Sequence, residues 1–381
     1  MLKLPVYLDN NATTPVDPEV LQAMLPYFTE HFGNAASRNH SFGWVAEEAV
    51  TQAREQVAQL IHAAPSEIVF TSGATEAINL AMKGVYEMYS TKGNHIITCA
   101  TEHKAVLDTC KHLERSGAEL TCLEVNREGI IDLNLLKAAI RPNTVLISIM
   151  TANNETGVLQ PVKEIGAIAK QHEIIFFTDA TQAAGKIPVD VQSDNIDLLC
   201  LSAHKIYGPK GAGALYVRRK NPRVRLAAQI DGGGHEKGMR SGTLNVPGIV
   251  ALGKSCALGM QKMDEESKRI GGLRDQLEKS LLQLNNVAVN GNRVHRLPNV
   301  TNLSFAGIPG NRLLTEISRT IAVSSGSACT SANPEPSHVL KAMGAADDLA
   351  KSSIRFGLGR FTTQEEIEYA VETVKKILQN L

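Results

Sequence analysis

The sequence predicts an α/β fold: a large domain with a mostly parallel sheet between helices, plus a smaller α+β domain. Three observations predict it. Short, continuously apolar runs alternate with helical segments through the middle of the chain. Those runs lack the in-and-out alternation of a half-exposed strand, and continuous runs belong to parallel sheets covered on both faces. At 381 residues the chain is also too long for one comfortable core, and its rhythm changes after Leu284.

The elements follow in order. Ile68–Thr71 reads as a strand, followed by the turn Ser72-Gly73-Ala74-Thr75 and a helix from Glu76 to about Tyr89. His95–Ala100 is a strand, and Lys104–Arg115 a helix closed by Gly117. Leu120–Val125 and Thr144–Met150 are strands flanking a helix whose cap candidate is Asp132. Val162–Gln171 is a helix; Ile174–Thr178, Leu198–Ser202 and Ala214–Val217 are strands. From Asn245 to about Leu284 the pattern is helical, as suits a long connection. A strand at Val300–Phe305, a helix at Asn311–Arg319 and a strand at Ile321–Ser324 come next. A helix at Ser337–Met343, a strand at Ser353–Phe356 and a helix at Thr363–Leu378 close the pattern. The large domain is expected over 15–258. The small one is expected over 1–14 and 259–381, with a loop at about 324–336.

Acidic and basic side chains number 39 each and the pI is near 7.2. That balance excludes the basic footprint that nucleic acids and anionic membrane surfaces require. With 43% apolar and 20% charged residues the chain reads as globular rather than disordered. Six cysteines without a C-x-x-C pair support neither a zinc knuckle nor a disulfide scaffold, so free thiols in a reducing compartment are expected. Met1–Pro5 leads to Asp9 without a signal-peptide core, and no apolar run approaches the roughly 18 residues of a membrane span. A soluble, cytoplasmic protein is the expectation.

In open α/β sheets ligands bind beyond the carboxyl ends of the strands. The expected strand ends carry Gly73-Ala74-Thr75 opening a helix, Glu102-His103, Asn153-Asn154-Glu155, Asp179 with Gln182, and Ser202-Ala203-His204-Lys205. A helix start offers free N–H groups to a phosphate. A lysine can hold pyridoxal phosphate as a Schiff base while a carboxylate keeps its pyridine nitrogen protonated. Singly, each feature has a plainer reading: a common turn, a helix cap, a surface lysine, a structural histidine. Their joint position at strand ends favours the cofactor. Gly211-Ala212-Gly213 leads into a strand, so it is no dinucleotide fingerprint, and no P-loop run or metal-spaced histidine pair is present.

Cys329 stands apart. It lies in Ser324-Ser325-Gly326-Ser327-Ala328-Cys329-Thr330-Ser331, a small polar stretch that predicts an exposed, reactive thiol. The other five cysteines fall in expected strands or helices and read as small packed hydrophobes.

Taken together the residues resemble the cysteine desulfurases of the NifS/IscS type, class-V-aminotransferase-like enzymes of the fold-type I pyridoxal-phosphate group. The resemblance runs nearly end to end. It is carried by Tyr7–Thr14, Thr101-Glu102-His103, Ala152–Gly157, Thr178–Gln182, Ser202–Lys205, Arg240–Thr243 and Ser324–Ser331. The last of these is similar to the catalytic loop of the long-loop group. Gly33-Asn34-Ala35 departs from the family pattern, which often has proline after the asparagine.

The resemblance implies a role at each matching position. Lys205 would bind the cofactor, His103 would stack on its ring and move protons, Asp179 would pair with the pyridine nitrogen and Gln182 with the ring hydroxyl oxygen. Ala74, Thr75, Ser202 and His204 would hold the phosphate, with Thr243 supplied by the other subunit of a homodimer. Asn34, Asn154 and Arg355 would bind the carboxylate of L-cysteine. Cys329 would take the sulfur as a persulfide and pass it to an acceptor such as an IscU/NifU-like scaffold for iron–sulfur cluster assembly. Some family members carry a longer C-terminal tail that docks such a scaffold, which leaves the acceptor open for a chain ending at Leu381. The rival readings are an aminotransferase or selenocysteine lyase on the same fold, and a scaffold using Cys329 as a metal ligand.

Overall fold

Seven strands form the central sheet of the computed structural model, which describes residues 2–308, 310–325 and 336–380. A two-residue strand, β1 (Val6–Tyr7), opens the chain. The sheet itself holds β2 (Ile68–Thr71), β3 (His95–Cys99), β4 (Glu119–Leu123), β5 (Thr144–Ser148), β6 (Ile175–Asp179), β7 (Leu198–Ser202) and β8 (Gly213–Val217). Their order is β2-β8-β7-β6-β5-β3-β4. All neighbouring pairs are parallel except those of β8, which runs antiparallel to both β2 and β7.

Every residue of β2, β3, β5, β6, β7 and β8 is buried, which is why these strands read as unbroken apolar runs. The exception is β4, an edge strand with only Leu123 buried. That placement corrects one sequence expectation. Cys122 is exposed on the edge rather than packed, whereas Cys99, Cys110, Cys200 and Cys256 are buried.

Two apolar clusters cover the two faces of the sheet. Helix Ala74–Met88 packs on one through Ile78, Met82 and Val85. Helix Ser41–Leu60 packs on the other through Ala46, Val50, Ala53 and Val57, at the three- and four-residue spacing of a helical face. Helix Lys104–Arg115 begins at the expected residue with His103 as its cap, and helix Leu133–Ala139 is capped by Asp132, whose carboxylate accepts from Asn134 N.

A second assembly is built on β9 (Val287–Val289), β10 (Val300–Phe305) and β12 (Ser353–Gly357), antiparallel in the order β12-β10-β9. Beside it β1 pairs in parallel with β11 (Ile321–Ala322). Leu303, Phe305, Ile354, Phe356 and Ile367 form its separate core. One 36-residue helix, Val246–Leu281, joins the two assemblies. Its first half contributes Ile249, Leu252 and Cys256 to the large core, and its second half contributes Ile270, Leu273, Leu277 and Leu281 to the small one.

Candidate active site

The carboxyl ends of β2, β3, β5, β6 and β7 open on one cavity of about 1040 Å³. Ala74, Thr75, His103, Asn154, Asp179, Gln182, Ser202, His204, Lys205 and Arg355 all line it. Thr243 and Asn34 do not; both are exposed elsewhere, and Asn34 Oδ1 accepts from Ala36 N at 2.9 Å. Cys329 lies outside the described residues, although Ser324 before it and Pro336 after it line the cavity.

Lys205 follows β7 in a single helical turn. Its Nζ donates to the carbonyl oxygens of Asn11 and Ala12, both at 2.6 Å. Burial pushes its pKa down to about 8, with Arg355 adding to the shift and Asp179 opposing it. A lysine that gives up its proton near neutrality is suited to attack a carbonyl.

Asp179 ends β6 and is buried. Its Oδ1 accepts from Thr181 N at 2.9 Å and from the Cys200 thiol at 3.3 Å. Oδ2 makes no hydrogen bond among the described residues, so one carboxylate oxygen is available to a cation or a protonated ring nitrogen.

His103 caps its helix through Nδ1, which accepts from Ala105 N at 3.1 Å. The proton of the neutral ring therefore sits on Nε2. Burial holds the imidazole below its usual pKa; Asp179 opposes this, while Lys205 and His338 reinforce it. A neutral imidazole here can accept a proton.

The start of helix Ala74–Met88 has no side-chain cap, so its first N–H groups are free for a ligand. Gly73 precedes it with φ near +153°, a conformation that side chains rarely adopt. Gly213 on β8 lies directly against it; a Cβ there would sit 2.6 Å from Gly73 Cα and 2.8 Å from Leu201 O. Gly213→Ala is therefore expected to displace the turn. Overpacking costs about 1–3 kcal/mol, which corresponds to about a 5- to 150-fold loss of phosphate-ligand affinity. Titrating cofactor-free protein with pyridoxal phosphate and following visible absorbance checks this; unchanged affinity would refute it.

Behind the turn, Arg240 Nε donates to Glu76 Oε1 at 2.7 Å while Ser72 N donates to Glu76 Oε2 at 2.9 Å. His204 Nδ1 bonds Thr13 Oγ1 at 3.1 Å, and burial with the charges of Lys205 and Lys210 lowers its pKa to about 4. His204 is thus a neutral hydrogen-bonding group at physiological pH.

Arg355, on β12, reaches the cavity from the small assembly. Its Nη1 donates to Asn154 O at 2.9 Å and its Nη2 to Asp9 Oδ1 at 2.7 Å. Its Nε is buried without a hydrogen-bond partner among the described residues. Such an orphaned donor in a cavity wall is where an acid group can dock.

Sequence reading assigned no role to Asn11 or Ala12, whose carbonyls hold Lys205. Their signal was present in the Tyr7–Thr14 motif, but backbone acceptors leave no mark on residue type. Glu155 was also passed over. It is buried, it accepts from the Ser337 hydroxyl, and burial raises its pKa to about 7 against the opposing effects of Ser337, Arg355 and Lys104.

Because that pKa is raised above the ordinary 4.5, the stability Glu155 contributes is complete below about pH 4.5. It is lost as the pH rises through about 7, a difference of about 3 kcal/mol at most. Glu155→Gln is expected to remove this slope. Denaturant unfolding of variant and parent at about pH 5 and about pH 8 measures it; identical slopes in both proteins would refute the assignment.

The residues fit pyridoxal phosphate on structural grounds. An uncapped helix start faces the same cavity as a lysine of lowered pKa, and a buried carboxylate has one oxygen unbonded. The family Aminotransferase class-V matches residues 6–370. A protein of Anaeromyxobacter dehalogenans named Cysteine desulfurase IscS is 58% identical over 381 residues, covering 99% of this chain and 94% of the relative. One of the same name from Dechloromonas aromatica is 57% identical, covering 97% and 91%.

Among solved structures, a NifS-like protein superposes with a TM-score of 0.93 at 38% identity, covering 99% of this chain and 100% of that one. A structure described as SspA in complex with cysteine has a TM-score of 0.82 at 38% identity, covering 94% and 100%. The cofactor is pyridoxal 5'-phosphate. Fold, cavity and full-length likeness agree: the chain belongs to the class-V aminotransferase family, among the cysteine desulfurases named IscS.

Proposed function

We propose that the protein is a cysteine desulfurase that takes sulfur from L-cysteine, leaves L-alanine, and carries the sulfur as a persulfide on Cys329. The observation that carries this reading is the convergence of Lys205, Asp179, His103 and an uncapped helix start on one cavity. The relatives named Cysteine desulfurase IscS and the cysteine-bound SspA structure support the substrate.

When bound, the cofactor supplies an electron sink that loosens the substrate's Cα proton and then its bond to sulfur. Lys205 Nζ anchors the cofactor and exchanges a proton near neutral pH. Asp179 pairs with the pyridine nitrogen and Gln182 with the ring hydroxyl oxygen. Ala74, Thr75, Ser202 and His204 hold the phosphate. Asn154 and Arg355 take the substrate carboxylate; Asn34, which lies outside this cavity, takes no part in it. His103 accepts and returns protons at Nε2.

The Cys329 thiolate attacks the substrate sulfur. An S–S bond forms, the Cβ–S bond breaks, and Cβ gains a proton. Cysteine and a thiol thus give alanine and a persulfide with no outside oxidant.

The protein works as a homodimer, with Thr243 completing the phosphate site across the interface. The exposed aromatics Phe28, Phe32, Phe42 and Trp44 support a covered surface, since large exposed apolar groups in one region mark interfaces. The sulfur passes to a scaffold protein of iron–sulfur cluster assembly or to another acceptor. The reducing cytoplasm keeps Cys329 a thiol; among the described residues no helix is long and apolar enough to cross a membrane.

Incubating the purified protein with L-cysteine and mapping added sulfur by peptide mass tests the reading. One extra sulfur atom on the Cys329 peptide, with alanine formed, is the expected result. Turnover of cysteine without sulfur on that peptide would overturn it.

A further inference from the structure

Lys186 lies in the turn after β6 and reaches back beneath Gln182. Its Nζ donates to Gln182 O at 3.1 Å and to Gln182 Oε1 at 3.0 Å. The side chain borders a small pocket that also touches Asn10, Tyr207, Glu266 and Asn299; Gln182 lines the large cavity and Lys186 does not.

A lysine that donates to a carboxamide meets its oxygen end, because the amino end has no acceptor to offer. The Gln182 amino end is thereby turned the other way. One of its hydrogens goes to Asn11 O at 2.9 Å, the same carbonyl that accepts Lys205 Nζ. The second has no acceptor among the described residues, although Gln182 is buried and lines the cavity. A buried amide hydrogen beside a cavity awaits a ligand acceptor.

We infer that Lys186 is a positioning residue: it locks the Gln182 carboxamide with its amino end toward the cofactor's ring oxygen, on the proposed reading that the cofactor is anchored at Lys205. A chain of contacts, Lys186 to Gln182 to Asn11 to Lys205, then links a side chain outside the cavity to the atom that binds the cofactor. The charged and titratable groups around Lys186 are Lys205 and Arg355, whose charges with burial lower its pKa to about 7, and Tyr207 and Glu266 across the small pocket. A donor on the ring oxygen makes it easier for the cofactor–lysine linkage to lose its proton.

The test is a pH titration of the visible absorbance of the cofactor-loaded protein. In Lys186→Met the midpoint is expected to rise by about one unit, a tenfold change in the proton equilibrium. Lys186→Arg, which keeps charge and donors, should return it to the parent value. In a Gln182→Leu background the same Lys186→Met substitution should shift the midpoint much less, because the group it positions is gone. A parental midpoint in Lys186→Met, or an equal shift in the Gln182→Leu background, would overturn the inference. A parent without a titrating visible band would overturn both the inference and the cofactor placement beneath it.

Discussion

Replacing Lys205 with alanine is expected to lower release of sulfur from L-cysteine by on the order of 10⁴-fold or more, the scale on which enzymes lose a covalent participant. The visible band of lysine-bound cofactor should vanish as well. Cofactor can still bind without a covalent link, because the cradle at Ala74 and Thr75 does not depend on Lys205.

The fold should survive. Lys205 is a half-buried cation whose charge is disfavoured there, and its loss frees only the Asn11 and Ala12 carbonyls, which can turn to water in the open cavity. Absorbance spectra, and the mass of protein reduced with borohydride, check the result. A retained band would shift the anchor to another lysine; Lys104 and Lys210 also line the cavity.

The second large effect is expected at Cys329. Cys329→Ala should abolish persulfide and sulfide formation by about 10³-fold or more, while the cofactor's absorbance stays that of the parent. The remaining cysteines explain why none can substitute. Burial pushes the thiols of Cys99 and Cys110 up to about 12, with Glu102 adding to both shifts, and raises those of Cys200 and Cys256 as well. Their thiolates are almost absent at neutral pH, and the thiolate is the nucleophile. Cys122 is the one exposed thiol among the described residues, but it sits on edge strand β4 and does not line the cavity. Cys122→Ala should leave the rate unchanged, so the pair of variants separates a positioned nucleophile from mere accessibility. Sulfide release by Cys329→Ala at the parent rate would refute the mechanism.

Much of this was legible because burial on both faces forces strands into continuous apolar runs. The run at Leu198–Ser202 and the helix at Lys104–Arg115 were readable to the residue. The cavity's side chains were legible for a related reason: ligands gather where parallel strands end, so a polar residue after an apolar run carries positional meaning.

Other parts lacked such a signal. The first 60 residues gave no reading of their helices, although Ser41–Leu60 is the second longest among the described residues. Its buried face is largely alanine, at Ala46, Ala49, Ala53 and Ala58, and alanine scarcely distinguishes inside from outside. The three-residue strand Val287–Val289 was too short to show periodicity. Cys122 misled because an edge strand and a central one can share a composition while differing in cover. The carbonyls of Asn11 and Ala12 were invisible because every residue carries that group.

The helix Val246–Leu281 has one further consequence. At 36 residues it is about 54 Å long and is a wall of both cores. Melting either core strips one half of this helix of its packing, and a long helix draws most of its stability from packing rather than from propensity. The two assemblies should therefore lose their structure as a single thermodynamic unit. Calorimetry of the cofactor-free protein is expected to show one transition with equal calorimetric and van't Hoff enthalpies. Two resolved peaks would mean that the shared helix can break in the middle. A proline at Asp264, between the two packed halves, would impose that break and should split the single transition into two.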